Sequence, residues 1–502
     1  MQHEKKGQIQ KGVQDPKKGE RLLHVDEKGI SSVVSYKCYS STFFMQLVLL
    51  QIKKLMNRRR NFVLKVVGVA LILNSIMSVA LAQDSTKHLS LNEAIKATLN
   101  NNKAVQLAKL DESIAASNYK QTEAIYLPQV GVSYTAMSTN NPLNAFGFKL
   151  QQKSITQNDF NPALLNNPGA TGDFTTKLEV QQPLVNMDLL YKRKAAAKQT
   201  ELYQYKTQRT KEYLTFEVQK AYLQLQLAYD AVKVLEDALQ TTKTVYTFTD
   251  NHFKQGLIQK SDVLNVQVQV TTVETNLAKA NSNIRNASDY LSLLMGQGYG
   301  IVYKVDNAMQ AESLASDTIT KIAASRSDFV AMQKAIEASD LMIQSNKMSY
   351  YPKLNAFGSY QLNDNRMLGF SANAYLAGVQ LSWDIFKGNS TKNKIATQKL
   401  ERNKLSEQLT QQKEQSQLEI NKAYRDLADA QFDIKQQKLS IEQATEALQI
   451  LQNRFQQGLV NTTDVLQAAT QLSQQKFALA QALFTTNVTK AYLQLLTTST
   501  NK

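Results

Sequence analysis

Histidine, cysteine and paired carboxylates carry most protein chemistry, and this 502-residue chain holds four His and one Cys. Only His88 and His252 fall after residue 83, far apart in the pattern and without acidic or nucleophilic companions at catalytic spacing. No phosphate loop, zinc-ligand spacing or Gly-x-Ser-x-Gly elbow occurs. Cys38 lies upstream of the export signal described below, so the exported chain lacks a thiol for a disulfide, a metal or a lipid anchor. The composition points away from an enzyme, a metal centre or a cofactor. The carboxylates worth following are Asp262 and Asp464, because the segment around them is written twice.

Asn251-His-Phe-Lys-Gln-Gly-Leu-Ile-Gln-Lys-Ser-Asp-Val-Leu264 returns as Asn453-Arg-Phe-Gln-Gln-Gly-Leu-Val-Asn-Thr-Thr-Asp-Val-Leu466, 202 residues on, and Ala221-Tyr222 returns as Ala423-Tyr424 at the same distance. Tyr126-Leu-Pro-Gln-Val130 matches Tyr350-Tyr-Pro-Lys-Leu354 at a displacement of 224. The chain reads as an internal duplication, 83–300 and 301–502, joined by a Gly-rich stretch at Gly296, Gly298 and Gly300. Each half spells a helix, a strand, a loop, a strand, a very long helix, a tight turn and another helix.

With 18 Gly and 7 Pro the chain has few breakers. Residues 184–255 and 389–457 contain none, enough for rods of roughly 100 Å at about 1.5 Å per residue. Val218, Ala221, Leu225, Ala228 and Val232 in the first rod, and Ile420, Ala423, Leu427, Ala430 and Ile434 in the second, step by three and four, the period of helices that wind on antiparallel neighbours. Ser90-Leu-Asn-Glu93 has the spacing of a capping box. Four segments alternate instead with period two: Val130–Ala136, Leu178–Gln182, Leu354–Leu362 and Tyr375–Trp383. Strands of this kind suit an outer membrane when tilted, yet four leave open edges that lipid cannot satisfy, so the sheet must close with copies of itself. Pro128, Pro183 and Pro352 stand where helix should meet strand. The loop 141–173 carries Phe146, Phe148 and Phe160, suited to covering a mouth, to docking or to anchoring at a lipid interface.

Arg58-Arg59-Arg60, an apolar run from Phe62 to Met77 and Ala80-Leu81-Ala82 compose an export signal over 56–82, cleaved between Ala82 and Gln83. Residues 1–55 show little pattern and read as an upstream start artefact or a disordered tail. The net charge of +16 is concentrated in this leader: residues 1–82 hold 14 Lys/Arg against 5 Asp/Glu, leaving +7 over the remaining 420 residues. That is an ordinary surface, and it gives no basis for nucleic-acid binding.

The doubled Phe-x-x-Gly-Leu-x-x-x-x-Asp-Val-Leu, at Phe253 to Leu264 and Phe455 to Leu466 inside a duplicated strand-and-helix frame, resembles the TolC family of outer-membrane efflux proteins. The resemblance implies a mixed, mainly α fold with a β-barrel part: a homotrimer whose four transmembrane strands per subunit complete a twelve-stranded barrel set in outer-membrane lipid, continued by a coiled-coil tunnel through the periplasm. It implies a passive exit duct for small molecules, served by a periplasmic adaptor and an inner-membrane transporter; a duct for secreted protein or a periplasmic scaffold without a pore are the alternatives. Carried over residue by residue, the adaptor-docking tip is Gly256, Leu257, Ser261, Asp262, Val263, Gly458, Leu459, Thr463, Asp464 and Val465. The periplasmic gate falls at Asp464 and Gln467. Relatives carry an acid at the second gate position and an arginine four residues before the first, where this chain has Gln467 and Val460, so an expected ring of six carboxylates becomes three and its ion pair is missing. Capping of the returning helix is the plainer role for Asp262 and Asp464.

Overall fold

The computed structural model describes residues 86–305 and 322–498. The export signal, its Ala82-Gln83 junction and residues 1–55 lie outside the described residues. The chain opens with β1 (Thr86–Leu89), α1 (Leu91–Asn101) and α2 (Lys103–Gln121). The capping box forms: Glu93 N–H donates to Ser90 Oγ at 3.3 Å and Ser90 N–H to the Glu93 carboxylate at 3.0 Å. The Ser90 N–H, together with the Ser90 hydroxyl that donates to the same carboxylate at 2.9 Å, holds Glu93 below the usual carboxylate range.

There follow β2 (Gln129–Thr139), α3 (Pro142–Gln151), α4 (Pro162–Asn166), β3 (Thr171–Val185), α5 (Met187–Lys254), α6 (Lys260–Met295) and β4 (Val302–Val305). The second half runs through α7 (Ser327–Met348), β5 (Lys353–Asp364), β6 (Ala372–Ser382), α8 (Ser390–Gln456) and α9 (Thr462–Thr497). The rods α5 and α8 are unbroken over 68 and 67 residues, about 100 Å each. Their many threonines do not break them because hydroxyls bond back one turn, as Thr242 does to Ala238 O and Thr249 to Val245 O, both at 2.8 Å. The expected seam is the buried one: Val218, Leu225 and Ile420 are sealed from solvent, with Ala221, Ala423 and Ala430 almost so. Alanines on the seam let α5 lie against α2, α6, α7 and α9, and α8 against α7 and α9. Between α5 and α7 four charges alternate, Lys334–Glu201 at 3.0 Å, Lys198–Glu337 at 3.3 Å, Lys198–Glu201 at 2.9 Å and Lys334–Glu337 at 3.1 Å.

The four long strands form one antiparallel sheet in the order β2-β3-β5-β6, with β2 and β6 as open edges. The register aligns Val132, Leu178, Tyr360 and Tyr375 in one row, and Val130, Val180, Gly358 and Ala377 in the next. On the opposite face Ser133, Lys177, Gln361 and Ala374 form a row, as do Gly131, Glu179, Ser359 and Leu376. One face is therefore apolar and, for a single subunit, bare: Val132 is 72% exposed and Tyr375 83%. The other is mainly polar, with Lys177 and Glu179 paired on it. Where the strands meet the helices, Tyr350, Tyr351, Trp383 and Phe386 are exposed, and the Trp383 indole N–H donates to Tyr350 O at 2.8 Å. Aromatics with one polar edge are suited to the depth where hydrocarbon gives way to headgroups.

Two features depart from the sequence reading. Pro128 and Pro352 immediately precede β2 and β5, but Pro183 lies inside β3, where the register with β5 shifts between Pro183 and Val185. A proline cannot donate to the ladder, so it sits at a bulge rather than at a junction. Downstream of the glycines expected to be linker, β4 pairs in parallel with β1, Thr86 opposite Val302 and Leu89 opposite Val305. Tyr303 is wholly buried there; its hydroxyl donates to Gln297 Oε1 at 2.9 Å and accepts from Ser292 Oγ at 3.1 Å.

Candidate functional site

The end of the rods remote from the sheet is built from two turns. At the first, α5 ends at Lys254 with Gln255 as its C-cap and Gly256 takes φ 76°; Gly256 N–H donates to Phe253 O at 2.8 Å and Leu257 N–H to His252 O at 2.9 Å. At the second, Gly458 takes φ 74°, with Gly458 N–H to Phe455 O and Leu459 N–H to Arg454 O, both 3.0 Å. This double closure with a left-handed residue satisfies the last carbonyls of a helix while reversing the chain. Nothing lies within 4 Å of a Cβ built on either glycine, so only the backbone angle demands glycine there.

The two turns belong to one packed unit. Val245 of α5, Val266 of α6, Leu448 of α8, and Val465 and Ala469 of α9 share a core, joined at its margin by Val460 and Phe455. Phe248 stands 4.6 Å from the Phe455 ring and 4.1 Å from that of His252. Val465 belongs to that core and Val263 is buried, whereas Gly256, Leu257, Ser261, Gly458, Leu459 and Thr463 are exposed. Leu257 and Leu459 are 65% and 69% exposed, an apolar pair held out at the tip. The sequence motif therefore mixes two populations: the valines hold the tip together, and the others form its outer surface.

The two aspartates differ. Asp262 is three residues into its helix, and its carboxylate accepts the Gln259 N–H at 3.3 Å. At the corresponding place in the second turn Asn461 does the capping, its Oδ1 accepting the Asp464 N–H at 2.9 Å. The Asp464 carboxylate accepts no hydrogen bond among the described residues, and it is half-buried on the face it shares with exposed Gln467 one turn on. Of the two aspartates expected to cap, only Asp262 does so through a carboxylate hydrogen bond, while Asp464 keeps the favourable place of an acid in the first turn of its helix. Val460 is half-buried beside the tip core.

Near the far end of α9 the structure assembles a polar cluster that sequence reasoning missed. Arg326, 2% exposed, pairs with Asp328 at 2.7 and 2.8 Å, donates to Ser416 Oγ at 2.7 Å and to Leu496 O at 3.3 Å, and lies 4.0 Å from the centre of the Phe329 ring. Gln412 Nε2 adds a bond to Asp328 at 2.8 Å. Burial pushes the Asp328 carboxyl up, but the Arg326 hydrogen bond and charge outweigh it and the net shift is downward. Nearby, burial and the Glu419 carboxylate push Tyr492 up to about 12. The available signal was Arg326-Ser-Asp328 at a helix start. Among the described residues no three His, Cys, Asp or Glu gather as metal ligands would, and no helix is long and apolar enough to cross a membrane.

Rods joined at a turned tip and continuous at the other end with a sheet bare on one face are the geometry of an outer-membrane channel subunit. The model of the family described as outer membrane efflux protein matches residues 94–297 and 318–499, and the chain belongs to that family. Cation efflux system protein CusC of Escherichia coli K12 is 23% identical over 269 residues, 52% of this chain and 53% of that protein, so the match spans about half of CusC. Outer membrane protein TolC of Salmonella enteritidis is 21% identical over 403 residues, covering 76% and 77% of the two chains. A crystal structure of CusC superposes with a TM-score of 0.70 at 17% identity, over 84% of this chain and 95% of that one, which shows the shared fold.

Proposed function

We propose that three copies of this chain form a passive exit duct across the outer membrane and periplasm, fed by an inner-membrane transporter through a periplasmic adaptor. The observation that carries this is the four-stranded sheet: two open edges, one apolar face, and direct continuation into rods of about 100 Å. Lipid tolerates no unpaired strand edge, and closure by three copies gives twelve strands with the Lys177–Glu179 face turned to a water-filled lumen. The two repeats, 83–300 and 301–502, then supply six similar segments of wall. The leader 56–82 directs export and is removed after Ala82.

In this reading Leu257 and Leu459, with Gly256, Ser261, Asp262, Gly458 and Thr463 around them, form the surface on which the adaptor docks. Val263 and Val465 support it from within. Asp464 and Gln467 face the narrow end of the duct. CusC is named for cation efflux, and a water-filled duct serves cations and organic molecules alike, since selection rests with the transporter. Light scattering of the protein in mild detergent tests the assembly: a trimer is expected, and a monodisperse monomer is incompatible with closure of the sheet.

A further inference from the structure

Along most of its length the polar face of the sheet is uncovered, but not at the end remote from the rods. There Thr135, Thr175, Asn363 and Ala372 form a polar-face row, and Asn363 and Ala372 are each 1% exposed. Asp173, two residues before Thr175 and so on the same face, is completely buried. What covers this end is the connection between β2 and β3, expected from its sequence as an irregular loop but carrying α3 and α4. Helix α3 lies against β3 and β6, with Ala145 1% exposed beneath it.

Gln152, the C-cap of α3, fixes this placement. Its side-chain amide, 6% exposed, donates to Gly172 O at 2.8 Å, to Asp173 Oδ1 at 2.9 Å and to Asp364 O at 3.4 Å. Asp173 also accepts from Thr175 Oγ1 at 2.6 Å and from Asn363 Nδ2 at 3.2 Å. The next residue, Lys153, is held left-handed at φ 52°, and its ammonium reaches Asn373 Oδ1 of β6 at 3.1 Å. The segment is also tied to itself, by Lys149–Asp159 at 2.6 Å and by Phe146 edge-on to Phe160 at 5.8 Å. A buried carboxylate met by side-chain amides from both the loop and a neighbouring strand is a specific latch, because each partner removed leaves a buried acceptor short of a donor.

We propose that residues 141–170 are an inward-folded plug, latched by Gln152 onto Asp173 beside Asn363, that narrows the outer mouth of the duct and keeps bulky hydrophilic solutes outside from entering it. The inference rests on the duct reading, which makes the polar face the lumen. Three latched loops would meet at one opening, so the plug acts independently of any closure at the rod tips.

The test is accessibility from outside in whole cells, in a Cys38→Ser background. Gln361→Cys reports from the polar face and Val132→Cys from the apolar face. With the loop intact, a small charged maleimide is expected to label Gln361→Cys readily and a bulky polyethylene-glycol maleimide only slowly. Gln152→Ala should speed the bulky reagent roughly tenfold, the population shift given by about 1.4 kcal/mol of lost latch. Replacing residues 143–168 by a short Gly-Ser linker should speed it further. Asn363→Ala, which removes the strand-side amide donor and leaves the loop untouched, should act in the same direction. Equal bulky-reagent rates with intact and shortened loops, at equal trimer levels in the outer membrane, overturn the plug. Failure of even the small reagent to reach Gln361→Cys in the shortened-loop variant, or its labelling of Val132→Cys instead, overturns the duct reading and the plug with it.

Discussion

Replacing Gly458 by valine isolates the contribution of one backbone angle to the tip. The residue sits at φ 74° with open space around a built Cβ, so the substitution introduces no clash and its cost is conformational. An L-residue forced left-handed costs about 1–2 kcal/mol, more when β-branched. Against this stand the two exposed closing bonds, Gly458 N–H to Phe455 O and Leu459 N–H to Arg454 O, each contributing about 0.5–1.5 kcal/mol net. The terms nearly cancel, so the valine chain should populate a reopened turn to a substantial degree and displace Leu459. Damage should stay local, since Val266, Leu448 and Val465 still pack beneath the turn and the sheet lies about 100 Å away. The expected result is a trimer in the outer membrane at parental level, with lost export and lost cross-linking to the adaptor. Gly458→Asn, whose side chain tolerates the left-handed region, should recover most of both. If Gly458→Val exports like the parent, the turn is not the docking surface. If Gly458→Asn fails as badly as valine, side-chain bulk rather than φ is at fault.

Asp464→Asn should leave assembly and melting unchanged, because Asn461 does the capping, while reducing cation preference in planar-bilayer reversal potentials; an unchanged preference removes Asp464 from the pore. Arg326→Met should lower stability by about 3–5 kcal/mol in thermal or denaturant unfolding, since it strands Asp328 in a buried site; a loss under about 1 kcal/mol would mean that water reaches the carboxylate. The folded pKa of Asp328 is depressed, so its contribution is present above the unfolded value near 3.8 and disappears as pH falls through the folded one. Acid unfolding of the parent should show that loss, and Arg326→Met should lack it. N-terminal sequencing of the outer-membrane form should begin at Gln83, and a product retaining Arg58 to Arg60 rules out cleavage there.

What could be read in the sequence follows the distance over which each signal acts. The seam through Val218, Leu225 and Ile420 needed only a few turns of one helix, and the alternation in the four strands needed only a pleat. The β1–β4 pair joins four-residue segments more than 200 positions apart, too short for a period and bound by tertiary contacts alone. The Arg326 cluster draws partners from Asp328, Ser416 and Leu496, and the Gln152 latch draws on Asp173, Asn363 and Asp364; neither set shares a local frame.

The aspartates of the doubled motif show how a repeated sequence comes to make different local bonds in its two copies. Both stand three residues after the first helix-cap position, and both were expected to cap. The cap position decides the outcome: at Gln259 a capping box forms in which the Asp262 carboxylate accepts the cap residue's N–H, whereas at Asn461 the short side chain alone serves the Asp464 amide. One carboxylate is thereby committed to structure and the other is released. With Val460 drawn to the tip core and Gln467 uncharged, Asp464 is the only acid of the two positions proposed to line the gate. In the proposed trimer a ring of three carboxylates would attract cations less strongly than a ring of six, and it would lack the partner to lock it shut. In the proposed duct, closure must then depend on the packing of Val245, Val266, Leu448 and Val465 between the two hairpins, which an adaptor can alter by pulling on the exposed leucines at their ends.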